Sequence, residues 1–204
     1  ECKRMDIGVL NPDILSSNKR FVVNSDMNIE YGLGAIKGVA DSFIKHVCAK
    51  RESTSFKDLW DFSKKVDIKL GGKKSLEALS QSGAFDKIAP SRSIAIRSVV
   101  DMLKDGSKNP TGNTMQSGDL FANTNHKFDP YEKYSKIEEF GLSELLSLEK
   151  KSLGYYLSGH PVDAINNQVS ILRSSQIGGL DIDSKKGALV ALINSSRQIR
   201  DRSG

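Results

Sequence analysis

Gly38 and Gly83 constrain the fold of this chain more than any other feature, because each divides two segments of helical period and they stand 45 residues apart. After the first, Val39, Phe43 and Val47 form one apolar row and Ala40, Ile44 and Cys48 the adjacent one. Before the second, Lys73 to Ser80 carries Leu76 and Leu79; after it, Pro90 suits the start of a helix bearing Ile96, Val99, Val100 and Leu103. A glycine between helices permits the positive φ that reverses the chain sharply. The pattern predicts two helix, hairpin, helix units. In the first, Leu33 to Lys37 is a very short helix, Gly38-Val39-Ala40 the hairpin and Asp41 to Lys50 the following helix; in the second, the hairpin is Ser82-Gly83-Ala84-Phe85. Between the units, Ser55 followed by Asp58 reads as a capping box for a helix through Leu59 and Trp60.

Gly32, Gly34 and Gly38 invite comparison with a nucleotide cradle, but their spacing is G-x-G-x-x-x-G rather than G-x-G-x-x-G, and no Gly-Lys-Ser/Thr follows. A hairpin at a helix N-terminus can instead offer successive amides to one phosphate, with Lys37 approaching the same group. An ordinary αα-turn capped by glycine explains the first motif equally well. The second copy, again among basic residues (Lys73, Lys74, Lys87, Arg92), favours a polymer of phosphates gripped on both strands without base reading.

Charge points the same way. The net +5 is concentrated in residues 31–104, which hold fourteen basic and eight acidic side chains, although a solvated lysine-rich surface has the same composition. Cys2, Cys48, His46, His126 and His160 show neither metal-ligand spacing nor a disulfide framework. No apolar run approaches membrane-span length and no signal peptide opens the chain, so the expectation is a cytoplasmic protein with no membrane partner and no metal or cofactor in this segment. Starting at Glu1 and ending just beyond the strand-like run Ala188 to Ile193, it reads as a piece of a longer protein.

Elsewhere, residues 1–30 read as strands or loops, and Asp105 to Pro130 has the composition of a mobile linker interrupted by Leu120-Phe121. A helix is predicted near Ser143 to Leu157, stopped by Gly159-His160-Pro161. Lone His160 reads as a partner for terminal helix carbonyls rather than a general base, and Trp60 with Phe56 and Leu59 as core rather than a base-stacking platform.

ECKRMDIGVLNPDI (1–14), YGLGAIKGV (31–39), SFKDLWDF (55–62), LEALSQSGAFD (76–86) and LGYYLSGHPVD (153–163) occur in an order and spacing that resemble the C-family replicative polymerases, the alpha subunits of bacterial DNA polymerase III. The resemblance implies a mainly α chain: the end of a fingers region (1–30), a tandem helix-hairpin-helix domain (31–104), a linker (105–140), a helical connector (141–175) and the truncated first strand of an OB fold (176–204). It implies duplex-DNA backbone contact by Lys37, Gly38, Val39, Ala40, Lys73, Lys74, Ser82, Gly83, Ala84 and Arg92. Other replicase subunits are implied partners, and the aspartates that bind Mg2+ in the full polymerase lie upstream, leaving no catalytic residue here. A sliding clamp is a further implied partner, through Gln116-Ser-Gly-Asp119-Leu120-Phe121, which has one residue more than the usual peptide. A stand-alone tandem hairpin DNA-binding module of a repair or recombination protein is the alternative.

Two departures from the family pattern qualify these expectations. Ala40 stands where the family usually has a second glycine; if that position needs positive φ, alanine costs about 1 kcal/mol and weakens the phosphate site. Gly72 stands where Asn usually precedes the basic pair, which implies a looser helix start.

Overall fold

Short apolar pairs between turn residues build a small N-terminal sheet of β1 (Val9–Leu10), β2 (Val22–Val23) and β3 (Ile29–Glu30). Its order is β1-β3-β2, with β1 parallel and β2 antiparallel to the central strand. Asn24 closes the β2-β3 hairpin by accepting the amides of Asp26 and Asn28 on its side-chain oxygen. The computed structural model describes residues 2–108, 129–164, 191–193 and 195–198. The chain divides into two units, Glu1–Ser158 and Gly159–Gly204.

Helices dominate the first unit. A 3-10 turn at Leu33–Ala35 leads through Gly38 into α1 (Asp41–Ser53), followed by α2 (Leu59–Lys65) and a second 3-10 turn at Ile68–Leu70. Then come α3 (Gly72–Gln81), α4 (Arg92–Lys108) and α5 (Leu142–Ser152). Both predicted helix, hairpin, helix units are thus present. One hydrophobic core runs through the unit: Phe43, Phe62 and Phe85 meet edge to face, with Leu59, Leu76, Leu79 and Met102 fully enclosed around them. Ile14 from the N-terminal region and Leu153 after α5 belong to the same core, so the expected fingers and connector segments pack on the hairpins.

Several boundaries differ from the sequence expectation for local reasons. Asp58 alone caps α2, accepting from the Trp60 and Asp61 amides at 2.8 Å each, and Ser55 takes no part in that cap. Ser91 rather than Pro90 starts α4, its hydroxyl accepting from the Ile94 amide. The chain leaves α5 at Gly154, whose φ of +94° is left-handed, well before Gly159.

In the second unit, Pro161 opens a short helix, α6 (Pro161–Ala164), and His160 Nδ1 accepts from the Val162 amide. The imidazole therefore serves the segment after it. Ala191 to Ile193 are exposed and form no strand; Ile193 has no ladder partner among the described residues and is 83% exposed. Ala188 to Val190, like most of the anticipated OB segment, lie outside the described residues.

Candidate nucleic-acid interface

The first hairpin turns at Gly38, which has φ +93° and is exposed. Its amides are only partly open. Val39 N–H donates to the Ile36 carbonyl and Ala40 N–H to Ser75 Oγ on α3 at 3.1 Å, so two of the three amides expected to face outward are used internally. Ala40 itself lies at φ −74°, ψ 133°, where alanine is unstrained, and the cost anticipated for a missing second glycine does not arise. Val39 packs against the core. No side chain caps α1, and the amides of Gly38, Asp41, Ser42 and Phe43 find no acceptor among the described residues. Phe43 is buried, so the amides of Gly38, Asp41 and Ser42, all on exposed residues, are the open donors at the positive end of a thirteen-residue helix.

Of the basic side chains expected at this hairpin, Lys74 lies at the turn and Lys37 extends away from it. Lys74 crosses Gly38 so closely that a methyl there would lie 3.2 Å from its Cε. Lys37 reaches toward Gly154, where a methyl would lie 2.9 Å from its Nζ. Neither lysine is in an ion pair among the described residues, whereas Lys73 pairs with Glu77 at 3.5 Å. Lys73 and Lys74 occupy the first turn of α3, where the helix dipole disfavours cations and no acidic residue stands in the same turn. An arriving anion relieves that conflict. Gly72, just before them, has φ +62°, a conformation that glycine and asparagine tolerate best, so the departure from the family's Asn needs no strain. Asp41 is a negative charge at the same end of α1, neutralised by Lys19 at 2.5 Å and Lys45 at 3.4 Å. The Lys19 hydrogen bond, ahead of the weaker Lys45 contributions, holds its carboxyl below the usual range.

The second hairpin has a left-handed glycine too, Gly83 at φ +83°, but its polar groups are closed. The amides of Ser82, Gly83 and Ala84 donate to the carbonyls of Ala78, Ser80 and Leu79, and all three residues are buried. Arg92, expected to meet a phosphate, is 6% exposed and packs its guanidinium across Gly83. It pairs with Asp86 at 2.5 Å and with Glu149 of α5 at 3.4 Å. Burial works against its charge, and the two carboxylates outweigh it, so the Arg92 pKa is raised. Lys87 is held by Asp13 at 2.7 Å. Arg92, Ser82 and Ala84 therefore build the interior of the hairpin and are not presented at its surface. Gln116, Asp119, Leu120 and Phe121 lie outside the described residues.

Sequence reading missed Glu139 and Glu149. The Glu139 carboxylate accepts from the Arg92 and Ser93 amides at 2.6 and 3.0 Å. Glu149, 1% exposed, accepts from Arg92, from the Leu157 and Ser158 amides and from the Ser158 hydroxyl. Both act on α4 across 46 to 57 residues of chain, and neither stands in a local motif. Among the described residues no group of three or more His, Cys, Asp and Glu side chains could hold a metal ion, and no helix is long and apolar enough to cross a membrane.

Two left-handed glycine turns, each leading into a helix, are the geometry of a helix-hairpin-helix protein, and residues 6–95 match the family described as the helix-hairpin-helix motif. Beyond that motif, the chain is homologous to a segment of the alpha subunit of bacterial DNA polymerase III. It is 37% identical over 165 residues, or 80% of its length, to DNA polymerase III subunit alpha of Vibrio cholerae. It is 34% identical over 165 residues to that of Escherichia coli and 30% identical, across an alignment of 222 positions that takes in the whole chain, to that of Pseudomonas aeruginosa. The chain spans 14% to 19% of the length of these curated relatives.

Proposed function

We propose that this chain is a non-catalytic segment of a DNA-directed DNA polymerase and holds the sugar-phosphate backbone of duplex DNA at its first hairpin. The observation that carries the reading is the set of open amides at Gly38 and the start of α1, with Lys74 across Gly38 and Lys37 next to it in sequence, neither in an ion pair among the described residues. Amides at the positive end of a helix and two lysines suit a phosphate oxygen cluster, and none of these groups reads a base edge. Binding is accordingly independent of sequence and falls as salt rises. Within the full polymerase, template-directed nucleotide transfer with Mg2+ belongs to residues outside this chain. A labelled duplex of mixed sequence, titrated with the 204-residue chain across a salt series, tests the reading. Micromolar or weaker affinity that declines linearly in log salt supports it; affinity indifferent to salt rejects it.

The same reading includes a sliding clamp as partner, engaged by Gln116, Asp119, Leu120 and Phe121. An apolar pair in a polar stretch can fill a pocket on a partner while Gln116 hydrogen-bonds its rim. A Leu120→Ala/Phe121→Ala chain that is retained by immobilised clamp as well as the parent ends that part of the proposal.

A further inference from the structure

At the N-terminus of α4, where the second hairpin delivers its helix, the donor positions are already taken. The two oxygens of Glu139 sit on the Arg92 and Ser93 amides, and Ser91 Oγ takes the Ile94 amide at 3.2 Å. One carboxylate bridging adjacent first-turn amides reproduces the way a helix N-terminus holds a phosphate. Glu139 is delivered from 46 residues downstream, so its seat is a tertiary contact and not a local cap. The corresponding amides of α1 have no such occupant among the described residues.

We propose that Glu139 is an internal phosphate mimic that closes the second hairpin to DNA, leaving backbone contact to the first hairpin while it is seated. The inference rests on the reading of the chain as a duplex-binding segment. Everything near Glu139 supports closure. The Ser82, Gly83 and Ala84 amides are spent on α3 carbonyls, and Arg92 is neutralised by Asp86 and Glu149. Asp86, Glu139 and Glu149 converge on one helix end, and the nearby Lys87 is held by Asp13, so an approaching phosphate meets net negative charge. Burial raises the Glu139 pKa, but hydrogen bonds from the Phe140, Arg92 and Ser93 amides and the charge of Arg92 lower it further, and the group stays anionic at neutral pH.

The test compares the 204-residue chain with Glu139→Ala and Glu139→Gln in binding a labelled duplex over a salt series, with amide resonances followed in parallel. Opening one phosphate contact steepens the slope of log affinity against log salt by about one and tightens low-salt binding roughly three- to tenfold. The Arg92 and Ser93 amides shift on DNA addition in the alanine variant and stay still in the parent. Glu139→Gln keeps an acceptor on those amides without the charge, so it gives an intermediate gain even where alanine loosens α4. Folded variants with parental affinity, parental slope and silent Arg92 and Ser93 amides overturn the proposal. A parent chain that binds no duplex overturns the duplex-binding reading as well, whereas a binding parent with unchanged variants overturns this inference alone.

Discussion

At the first hairpin the exposed amides of Asp41 and Ser42 find no acceptor, and Lys37 and Lys74 no ion-pair partner, among the described residues; at the second, Glu139 covers the Arg92 and Ser93 amides and Arg92 is buried between Asp86 and Glu149. The backbone plan is shared, down to a left-handed glycine at φ +93° in one and +83° in the other. What differs is the supply of carboxylates from elsewhere in the chain. A repeated turn therefore does not imply a repeated site: the same donors are a binding surface where the fold leaves them open and a structural joint where it fills them.

The comparison breaks most readily at the joint. Glu149→Ala removes one of two partners from a buried guanidinium and strips the acceptor from the Leu157 and Ser158 amides, at a cost of about 3–5 kcal/mol. Urea denaturation measures it, and a loss under about 1 kcal/mol argues that the network does not hold the second hairpin. Next in size is a paired glycine test. Gly83→Ala must accommodate a left-handed alanine and push its methyl into the Arg92 guanidinium, for about 2 kcal/mol or more. Gly38→Ala is tight only against Lys74 Cε, with ordinary contacts to Lys74 Cγ and Ala78 Cβ, and costs about 1 kcal/mol, so equal midpoint shifts erase the distinction between a packed and an open hairpin.

Smaller effects sharpen the surface side. Lys37→Glu/Lys74→Glu weakens duplex binding roughly tenfold at moderate salt and lowers the salt slope by about two, while Lys87→Glu leaves both near the parent. Calorimetric unfolding of each variant separates lost binding from lost fold. The mildest signal is in pH. Burial raises the Glu149 pKa, but hydrogen bonds from Ser158 and Leu157 and the charge of Arg92 lower it further, below its ordinary 4.5. A depressed carboxylate contributes stability that is present above the unfolded value and is lost as pH falls through the native one. The parent should lose stability below about pH 4.5 more steeply than Glu149→Gln, read from urea midpoints at successive pH values.

Glycine position and apolar period made much of the fold legible. Both hairpins, α1 with Phe43, Ile44 and Val47 inward, and α3 with Leu76 and Leu79 inward follow from local rules that the structure obeys. Local rules erred where two local solutions competed: Asp58 sits directly before α2 and reaches two amides, so the capping box from Ser55 does not form. Ala40 was misjudged for a similar reason, since the left-handed turn is completed at Gly38 and the next two residues need only extended or helical backbone. The candidate site was half legible. Lys74 lies across Gly38, while Lys37 extends to Gly154; Arg92 and Glu139 read alike as surface charges, because their burial and seating depend on partners 46 to 57 residues away.

By itself, the sequence determined where the chain turns and which helix faces are apolar, because glycine conformation and the 3.6-residue period act within a few residues. It also carried the homology to the DNA polymerase III alpha subunit. Tertiary structure alone decided which helix ends stay open, since an amide at an N-terminus will accept any anion the fold brings to it, whether a distant glutamate or a phosphate from outside. In this chain α4 received Glu139, and the first amides of α1 have no acceptor among the described residues.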